Sequence, residues 1–249
     1  MRNPAVRRAL QDIYRQLMAH YGPQRWWPAE APFEVMVGAI LTQSAAWTNV
    51  EKAIDNLKKA GALSPKALRE LSTEDVAGLI RPSGYYNAKA VKLKAFVQWF
   101  GENYGDDLDR MAAQNVDSLR KQLLEVHGIG PETADSIILY ATNQPVFVID
   151  AYTRRIISRI GLAPDKDTYD AYQRLFMDNL PADTGLFNEY HALLVRLGKD
   201  VCRKRPLCAQ CVLNRRCGHH HELPPEIDSQ SAQYGILTED KMIQEKLHE

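Results

Sequence analysis

The residues of this chain that are best suited to bind a metal are its four cysteines, which all fall within sixteen residues. They are Cys202, Cys208, Cys211 and Cys217, with the spacing C-x5-C-x2-C-x5-C. Thiolates grouped in this way are typical of a metal site rather than of disulfides. Zinc sites usually present two close pairs, whereas one close pair between two single cysteines favours a [4Fe-4S] cluster. We therefore expect an iron–sulfur loop over residues 202–217, with zinc as the alternative.

A glycine-rich turn has the features of a phosphate-binding hairpin. The segment LLEVHGIGPETA covers residues 123–134, in which Gly128 and Gly130 allow a sharp turn and the close approach of a partner. The free N–H groups of such a hairpin, with the positive end of the helix that begins at Pro131, would bind a phosphate. A simple helix–helix turn is the alternative. We expect Gly128, Gly130 and Thr133 to contact nucleic acid.

Most of the chain has the apolar spacing of helices, which would position these residues. Apolar side chains recur every three or four residues and strict alternation is almost absent, so we expect an all-α protein. An exception is the strand-like apolar run of residues 145–150, which ends in the carboxylate of Asp150. Prolines and glycines separate the predicted helices, which cover residues 4–20, 33–44, 47–60, 74–80, 87–104, 116–125, 131–142, 151–160, 167–179 and 184–200.

The composition is that of a soluble globular protein, with 45% hydrophobic and 25% charged residues among 249. No apolar run approaches the roughly 20 residues that a membrane span requires. The first residues, MRNPAVRRAL, lack the apolar segment of a signal peptide. We expect a cytoplasmic, nucleoid-associated protein that has no membrane partner.

Charge is distributed unevenly, although the formal net charge is zero. Residues 222–249 contain seven acidic and two basic side chains, which predicts an extended acidic tail and leaves a net charge of +5 on the first 221 residues. The basic side chains are dense around the cysteines, which indicates either a nucleic-acid contact or an ordinary solvated face. The side chains expected to contact phosphates are Arg203, Lys204, Arg205, Arg215 and Arg216.

Three of these segments together resemble one enzyme family. The hairpin GIGPETA, the segment VFVIDAYTRR and the cysteine loop are similar to the endonuclease III branch of the helix-hairpin-helix DNA glycosylases, over about residues 30–217. The resemblance implies two α-helical lobes with a DNA-binding cleft, a hairpin that grips the DNA backbone, and a catalytic aspartate at Asp150. The family's cysteine loop usually has six residues in its first gap, whereas this chain has five.

The resemblance also implies a domain organisation. Residues 30–145 would form a six-helix-type lobe that contains the hairpin. Residues 1–29 and 146–221 would form a second lobe with the cluster loop, and residues 222–249 would be the acidic tail. We expect a monomer, because a repair glycosylase needs access along DNA. The expected partner is double-stranded DNA that contains a damaged base.

Glu132 departs from the pattern of family members that also nick DNA. Those members have a lysine at this position, whose amine attacks the sugar C1′ and forms a Schiff base. A carboxylate cannot form an imine, so the resemblance implies a monofunctional glycosylase with water as the nucleophile. Glu132 would contribute to that reaction or serve as an ordinary first-turn helix residue. Asp150 would stabilise the developing positive charge or position the water, after the base has left the stack.

The N-terminal quarter contains aromatic residues suited to holding a damaged base. The segments WWP, LTQ, RPSGYYNAKA, GIGPETADSI and VIDAY are together similar to bacterial 3-methyladenine DNA glycosylases of the endonuclease III-like class. That resemblance implies a base pocket lined by Trp26, Trp27, Pro28 and Trp47, and it gives Gln43 the role of filling the gap left in the duplex. On composition alone, the tryptophans are as well explained as core residues. The well-known members lack the four-cysteine loop, so the chain would be a cluster-bearing relative.

These observations predict a monofunctional glycosylase for alkylated purines, which are 3-methyladenine and, as a further candidate, 7-methylguanine. A cationic purine leaves readily, and aromatic faces hold a positive ring. The alternatives are an endonuclease III-like glycosylase and AP lyase for oxidised or mismatched pyrimidines, a non-catalytic DNA-damage binder, and a cluster-based redox sensor. The loop at Tyr85 and Tyr86 would brace the DNA or pack between helices.

Overall fold

The computed structural model of the protein describes residues 3–222, which are largely helical and contain no β-strand. The all-α class predicted from the apolar spacing is confirmed. From residue 223 on, the predicted acidic tail lies outside the described residues. The α-helices are α1 (Pro4–Tyr21), α2 (Pro32–Leu41), α3 (Trp47–Lys59), α4 (Pro65–Glu70), α5 (Thr73–Leu79), α6 (Tyr86–Tyr104), α7 (Leu108–Ala112), α8 (Val116–Glu125), α9 (Pro131–Ser136), α10 (Ala151–Ile160), α11 (Tyr169–Met177), α12 (Thr184–Asp200) and α13 (Gly218–Glu222).

The described residues form two compact units. The first unit comprises Met1–Gln24, Ile149–Leu180 and Tyr190–Glu249, as far as these are described, and it contains Asp150 and the cysteines. The second unit comprises Arg25–Val148 and Pro181–Glu189, and it contains the hairpin. The tryptophan pair that precedes α2 also belongs to the second unit. Among the described residues, none of the helices combines the length and apolar content needed to cross a bilayer.

The core of the second unit is built around α2, whose residues Val35 to Leu41 are all buried. This helix packs against α3, α6, α9 and the π-helical turn Ile137–Ala141. From Val35 to Leu41 it is apolar on every side, as expected of a helix that is surrounded by other elements. Trp27, which precedes α2, and Gln43, which follows it, are therefore attached to a helix that is packed on all sides.

The core of the first unit joins α1 to the later helices. Leu10, Ile13 and Leu17 of α1 are fully buried. The hydroxyl of the buried Tyr190 donates to the carbonyl of Leu10 at 2.8 Å, and its ring lies edge to face with that of Phe176. Satisfying a buried tyrosine hydroxyl in this way avoids the cost of an unpaired polar group.

Helix starts follow local capping rules. Side chains at N-cap positions accept hydrogen bonds from the first turn, and these caps are Asn3, Ser64, Ser72, Asp107, Asn115, Asp150 and Thr168. Proline stands in the first turn of α1, α2, α4 and α9, where its missing N–H costs nothing.

The structure differs from the predicted elements at several points. The short helices α4, α7 and α13 were not predicted, because six or fewer residues carry too little periodicity. The helix predicted over residues 33–44 ends at Leu41. The helix predicted over residues 131–142 ends at Ser136 and continues as a π-helical turn. The run of residues 145–150 lies in neither a helix nor a strand, and it is buried from Val146 on. Its backbone N–H at Ile149 donates instead to the hydroxyl of Tyr169 at 3.2 Å.

Candidate functional site

Asp150 caps the helix that follows it. Its Oδ1 accepts a hydrogen bond from the backbone N–H of Thr153 at 2.7 Å, and the residue is buried. The cap places the carboxylate at the positive end of α10. Because the cap uses Oδ1, the carboxylate is held in one orientation and Oδ2 points elsewhere.

The second oxygen of Asp150 faces a histidine. Nε2 of His191, in α12, lies 3.7 Å from Oδ2, which is longer than a hydrogen bond but within the range of charge effects. Burial lowers the pKa of His191, and the negative charge of Asp150 opposes that shift. At neutral pH the carboxylate therefore has a neutral imidazole beside it.

Four aromatic rings form a cluster in the second unit. Trp27 and Trp47 lie edge to face with ring centroids 5.2 Å apart, and Trp26 is tilted against both. Tyr140 adds a fourth ring, 5.3 Å from Trp27. The residue spacing of the chain gave no signal for Tyr140, which the π-helical turn brings to the cluster. At Gly38, an added Cβ would lie 3.0 Å from Trp27, so α2 makes room for this ring.

The polar atoms of the cluster fall into two groups. The indole Nε1 atoms of Trp26 and Trp27 are buried and have no hydrogen-bond acceptor among the described residues. The indole N–H of the half-buried Trp47 donates to Glu51 at 2.7 Å. Pro28 and Trp47 line an open cavity of about 730 Å³ together with several charged side chains of α2 and α3. Buried donors without acceptors are rare, so they indicate where a ligand's acceptors would fit.

The two hairpin glycines have different surroundings. Gly128 has a φ of +81°, and an added Cβ would lie 2.3 Å from Cγ of Lys92. Gly130 has an extended backbone, with φ −95° and ψ 176°, and an added Cβ would meet nothing within 4 Å. Glycine is therefore required at Gly128 by the protein's own fold, whereas at Gly130 nothing inside the protein requires it.

Gln43 and Thr133 meet at the hairpin. Nε2 of Gln43 donates to the carbonyl of Gly128 at 3.2 Å and to the hydroxyl of the buried Thr133 at 3.0 Å. Glu132, in the first turn of α9, is exposed. The loop that precedes α6 ends in Tyr85, whose side chain is 75% exposed and whose φ is +45°. This tyrosine is the most exposed large apolar residue among those described.

The four cysteines line one cavity of the first unit, and none of them forms a disulfide. Burial is the main cause that raises the pKa of the Cys211 thiol to about 11, and negative charge on the other three cysteines acts in the same direction. The guanidinium of Arg159 donates to Sγ of Cys202 at 3.3 Å. Within the described residues, no three Cys, His, Asp or Glu side chains are arranged to hold a single metal ion.

The basic side chains near the cysteines differ in exposure. Arg203, Lys204, Arg205 and Arg215 are exposed, whereas Arg216 is half-buried and reaches Asp12 of α1 at 3.5 Å. Arg159 also donates to the carbonyls of Arg203 and Lys204, at 2.6 and 3.1 Å. The backbone that carries the exposed basic side chains is therefore tied to α10.

Comparison with known proteins decides the family. A family described as the HhH-GPD superfamily of base excision DNA repair proteins matches residues 37–182. The chain belongs to this superfamily. A Methanocaldococcus jannaschii protein that carries the provisional name of DNA repair glycosylase is 46% identical over 84% of this chain and 95% of its own. Endonuclease III of Thermotoga maritima is 29% identical over 75% of this chain and 82% of its own. This HhH-GPD protein is a DNA glycosylase of the base excision repair class.

Solved structures agree with this assignment. The Helicobacter pylori 3-methyladenine DNA glycosylase bound to 1,N6-ethenoadenine has a TM-score of 0.66 and 26% identity, covering 78% of this chain and 96% of that one. A trapped endonuclease III–DNA covalent intermediate has a TM-score of 0.75 at 18% identity, covering 87% of this chain and 97% of that one. The second likeness concerns the fold alone.

The predicted site residues divide between the units. Trp26, Trp27 and Trp47 form the aromatic cluster, and Gln43 contacts the hairpin, all within the second unit. Asp150 and the cysteine cavity lie within the first unit. No sequence pattern indicated the roles of His191, Glu51 and Lys92. His191 and Lys92 contact residues that are distant in sequence, and Glu51 contacts a residue one helical turn away.

Proposed function

We propose that this HhH-GPD protein is a monofunctional DNA glycosylase that hydrolyses the N-glycosidic bond of alkylated purines in duplex DNA. The proposed substrates are 3-methyladenine first and 7-methylguanine second. The observation that carries this proposal is the cluster of Trp26, Trp27, Trp47 and Tyr140, with two buried indole N–H groups that lack acceptors. The similarity to the 3-methyladenine DNA glycosylase of Helicobacter pylori supports the same substrate class.

The chemistry of the substrate suits such a cluster. A purine alkylated at N3 or N7 is cationic before its bond to the sugar breaks, so it leaves without an acid to protonate it. Aromatic faces attract a cation by about 0.5–2 kcal/mol, more where water is excluded. The base enters such a site only after it has been flipped out of the duplex. The indole N–H groups of Trp26 and Trp27 would donate to acceptors on the base edge.

Asp150 is the proposed catalytic carboxylate. As the C1′–N bond breaks, positive charge develops on the sugar, and an anionic oxygen nearby stabilises it or positions the attacking water. The N-cap bond to Thr153 holds the carboxylate in one orientation for this task. Atoms and electrons balance in this hydrolysis, because water supplies a hydroxyl group to C1′ and the purine departs with the electron pair of the C1′–N bond. The remaining proton of the water goes to Asp150 or to solvent.

Absence of lyase activity is part of the proposal. The first turn of α9 carries Glu132, which cannot form an imine with C1′. Its exposed position at the positive end of the helix is also that of an ordinary first-turn acid. We therefore expect the reaction to stop at an abasic site in an intact strand.

The cysteine cavity fits a [4Fe-4S] cluster. Four thiols line this cavity, one buried and three half-buried, and the pKa of Cys211 is raised, so a positive centre would be needed to hold them as thiolates, and iron would supply it. Cys202, Cys208, Cys211 and Cys217 would be the ligands. With four protein thiolates the cluster would have no open iron, so it would stabilise the loop and carry electrons at most. The loop would then present Arg203, Lys204, Arg205 and Arg215 to phosphates, with Arg216 tied to α1.

The second unit would make the other DNA contacts. The hairpin at Gly128 and Gly130 would meet the DNA backbone, because the free space at Gly130 faces no part of the protein. Gln43 is proposed to fill the gap in the duplex, and the exposed Tyr85 to brace the neighbouring bases. Thr133 would act by holding Gln43, since its side chain is buried.

The test is base release from duplex DNA that contains 3-methyladenine, measured by chromatography with the strands analysed before and after alkali. The proposal predicts free 3-methyladenine, intact strands until alkali, and no covalent product with borohydride. Trapping by borohydride would contradict the monofunctional mechanism. Release of oxidised or mismatched pyrimidines without release of 3-methyladenine would contradict the substrate class and favour an endonuclease III-like enzyme. DNA binding without release of any base would favour a non-catalytic binder.

A further inference from the structure

We propose that Lys92 is a positioning residue for the hairpin, acting through Gln43 to keep the turn at Gly128 and Gly130 in the shape that meets the DNA backbone. The inference deepens the proposed function and rests on its assignment of the hairpin to a DNA contact. Lys92 lies in α6, far in sequence from both partners, and all three belong to the second unit.

The amide of Gln43 is engaged at both ends. The ammonium of Lys92 donates to Oε1 at 2.5 Å. Nε2 donates to the carbonyl of Gly128 at 3.2 Å and to the hydroxyl of Thr133 at 3.0 Å. The side-chain amide has therefore used both of its N–H donors as well as its oxygen.

Lys92 decides which way this amide points. A lysine ammonium can only donate, so the amide oxygen must face it, and the amide nitrogen must then face the hairpin. Without the ammonium, the amide could turn over and present its oxygen to the carbonyl of Gly128. Two acceptors would then face each other, and the carbonyl would lose its donor.

The stem of Lys92 is also fitted to the hairpin. Its Cγ, Cδ and Cε would lie 2.3, 2.6 and 2.8 Å from a Cβ added at Gly128. The stem therefore runs through the space that only glycine leaves open. This explains why Gly128 is needed independently of any DNA, and it fixes the ammonium beside Gln43.

Gln43 links the two sides of the hairpin through its side-chain amide. Its two donors bond the first glycine of the turn, Gly128, and a residue after the turn, Thr133. The end of α2, two residues before Gln43, is itself fixed because the buried ammonium of Lys89 donates to the carbonyls of Leu41 and Ser83 at 2.8 and 2.7 Å. Helix α6 thus supplies two lysines to this site: Lys89 fixes the end of α2, and Lys92 orients the amide of Gln43.

The competing explanation is that Lys92 contacts a phosphate directly. A phosphate contact contributes independently of Gln43 and makes DNA affinity more sensitive to salt, whereas a positioning residue loses its effect once Gln43 is removed. The two explanations therefore differ in the double variant and in the salt dependence.

The experiment measures the Kd for an undamaged duplex over a range of salt concentrations, so that no flipped base or duplex gap is involved. We compare wild type, K92M, Q43A and the double variant K92M/Q43A. Methionine keeps the apolar stem beside Gly128 and removes only the ammonium. We expect K92M to weaken binding about tenfold, the double variant to bind no more weakly than Q43A, and the slope of log Kd against log salt to stay the same.

Two further variants serve as controls. K94M removes an ammonium from the same helix that donates to the carbonyls of Arg69 and Leu71, and it should leave Kd unchanged. K92R keeps a donor and should bind within about threefold of wild type. If K92M proves unstable, the amide resonances of Gly128 and Gly130 in K92R, K94M and Q43A provide the second readout. Positioning predicts that they shift in Q43A and stay close to their wild-type positions in K92R, which keeps the donor, and in K94M; a shift in K92R as large as that in Q43A would overturn it.

G130A separates failure of this inference from failure of the proposed function. Unchanged affinity in G130A would mean that the hairpin does not meet DNA, which contradicts the proposed function. Weakened affinity in G130A together with additive losses in K92M/Q43A, or with a salt slope reduced by about one in K92M, would overturn the positioning role alone. Unchanged affinity in a folded K92M would overturn it as well.

Discussion

Trp27 and Trp47 lie edge to face with their ring centroids 5.2 Å apart, and the indole N–H of Trp47 is tied to Glu51 at 2.7 Å. The two rings come from segments on either side of α2, which is rigid and buried. Their mutual orientation is therefore fixed before any base arrives, as an aromatic site for a cationic purine requires.

Replacing Trp47 by leucine should lower kcat/KM for release of 3-methyladenine. Leucine keeps an apolar side chain but removes the aromatic face, and a cation–π contribution of up to about 2 kcal/mol corresponds to a loss of up to roughly 30-fold. W99L is the matched control, because Trp99 packs against Tyr104 in α6, away from the other three tryptophans. Equal losses in the two variants would mean that Trp47 acts only through stability.

Alanine substitutions at the two hairpin glycines should affect different properties, with G128A lowering stability and G130A lowering DNA affinity. In G128A the alanine must adopt a φ near +81° and displace the stem of Lys92, so we expect a loss of roughly 1–3 kcal/mol in the free energy of unfolding. In G130A the added methyl group meets open space, so the free energy of unfolding should change by less than about 1 kcal/mol while DNA affinity falls at least tenfold. Urea unfolding and fluorescence anisotropy measure the two quantities. The reverse pattern would contradict this account of the hairpin.

Stability should depend on pH through His191. Burial lowers its pKa below the usual 6.5, so below that pH the unfolded chain binds a proton that the folded protein does not. The free energy of unfolding should therefore fall as the pH decreases from about 6.5 towards the folded pKa, and His191 should contribute no pH dependence above that range. The charge of Asp150 reduces the effect.

H191Q tests this pH dependence, because glutamine has a similar polar reach and does not titrate. The decrease in Tm between pH 7.5 and pH 5.5 should be smaller in H191Q than in wild type. H20Q, which changes an exposed histidine of α1, is the control. A decrease in H191Q as large as that in wild type would show that other groups are responsible.

The cysteine loop should hold a cluster with four iron and four sulfide ions per chain. C208S removes the most buried of the four thiols and should lose most of the iron and the brown colour of the protein. Iron and sulfide analysis of protein purified without oxygen is the measurement. One zinc ion per chain, with no sulfide, would contradict the [4Fe-4S] assignment and favour the alternative metal.

Local patterns in the sequence predicted the helices that carry most of the site. The bounds of α8 and α10 follow from apolar spacing and from the caps Asn115 and Asp150, which are readable without a structure. The short α4 and the π-helical turn at Ile137–Ala141 could not be predicted in this way. Six residues show little periodicity, and a π-helical turn depends on the packing around it.

Contacts between distant residues mark the limit of sequence reasoning. Lys92 lies in a helix that also carries Lys89 and Lys94, and no residue near it in the sequence indicates that its ammonium reaches Gln43. The facing of His191 and Asp150 depends on how α12 packs, which no local pattern encodes. The two roles of glycine at the hairpin likewise became distinct only when the surroundings of Gly128 and Gly130 were known.

The most direct test of the central claim is base release by D150N, with D107N as the matched control. Asparagine caps helices as well as aspartate does, so both variants should keep the fold, and Asp107 caps α7 in the same manner through Asp109 and Arg110. We predict that D150N loses about 10²–10³-fold in the rate of 3-methyladenine release, with unchanged DNA affinity and Tm, while D107N releases the base at the wild-type rate. Release by D150N within threefold of wild type would contradict the role of Asp150 in the reaction.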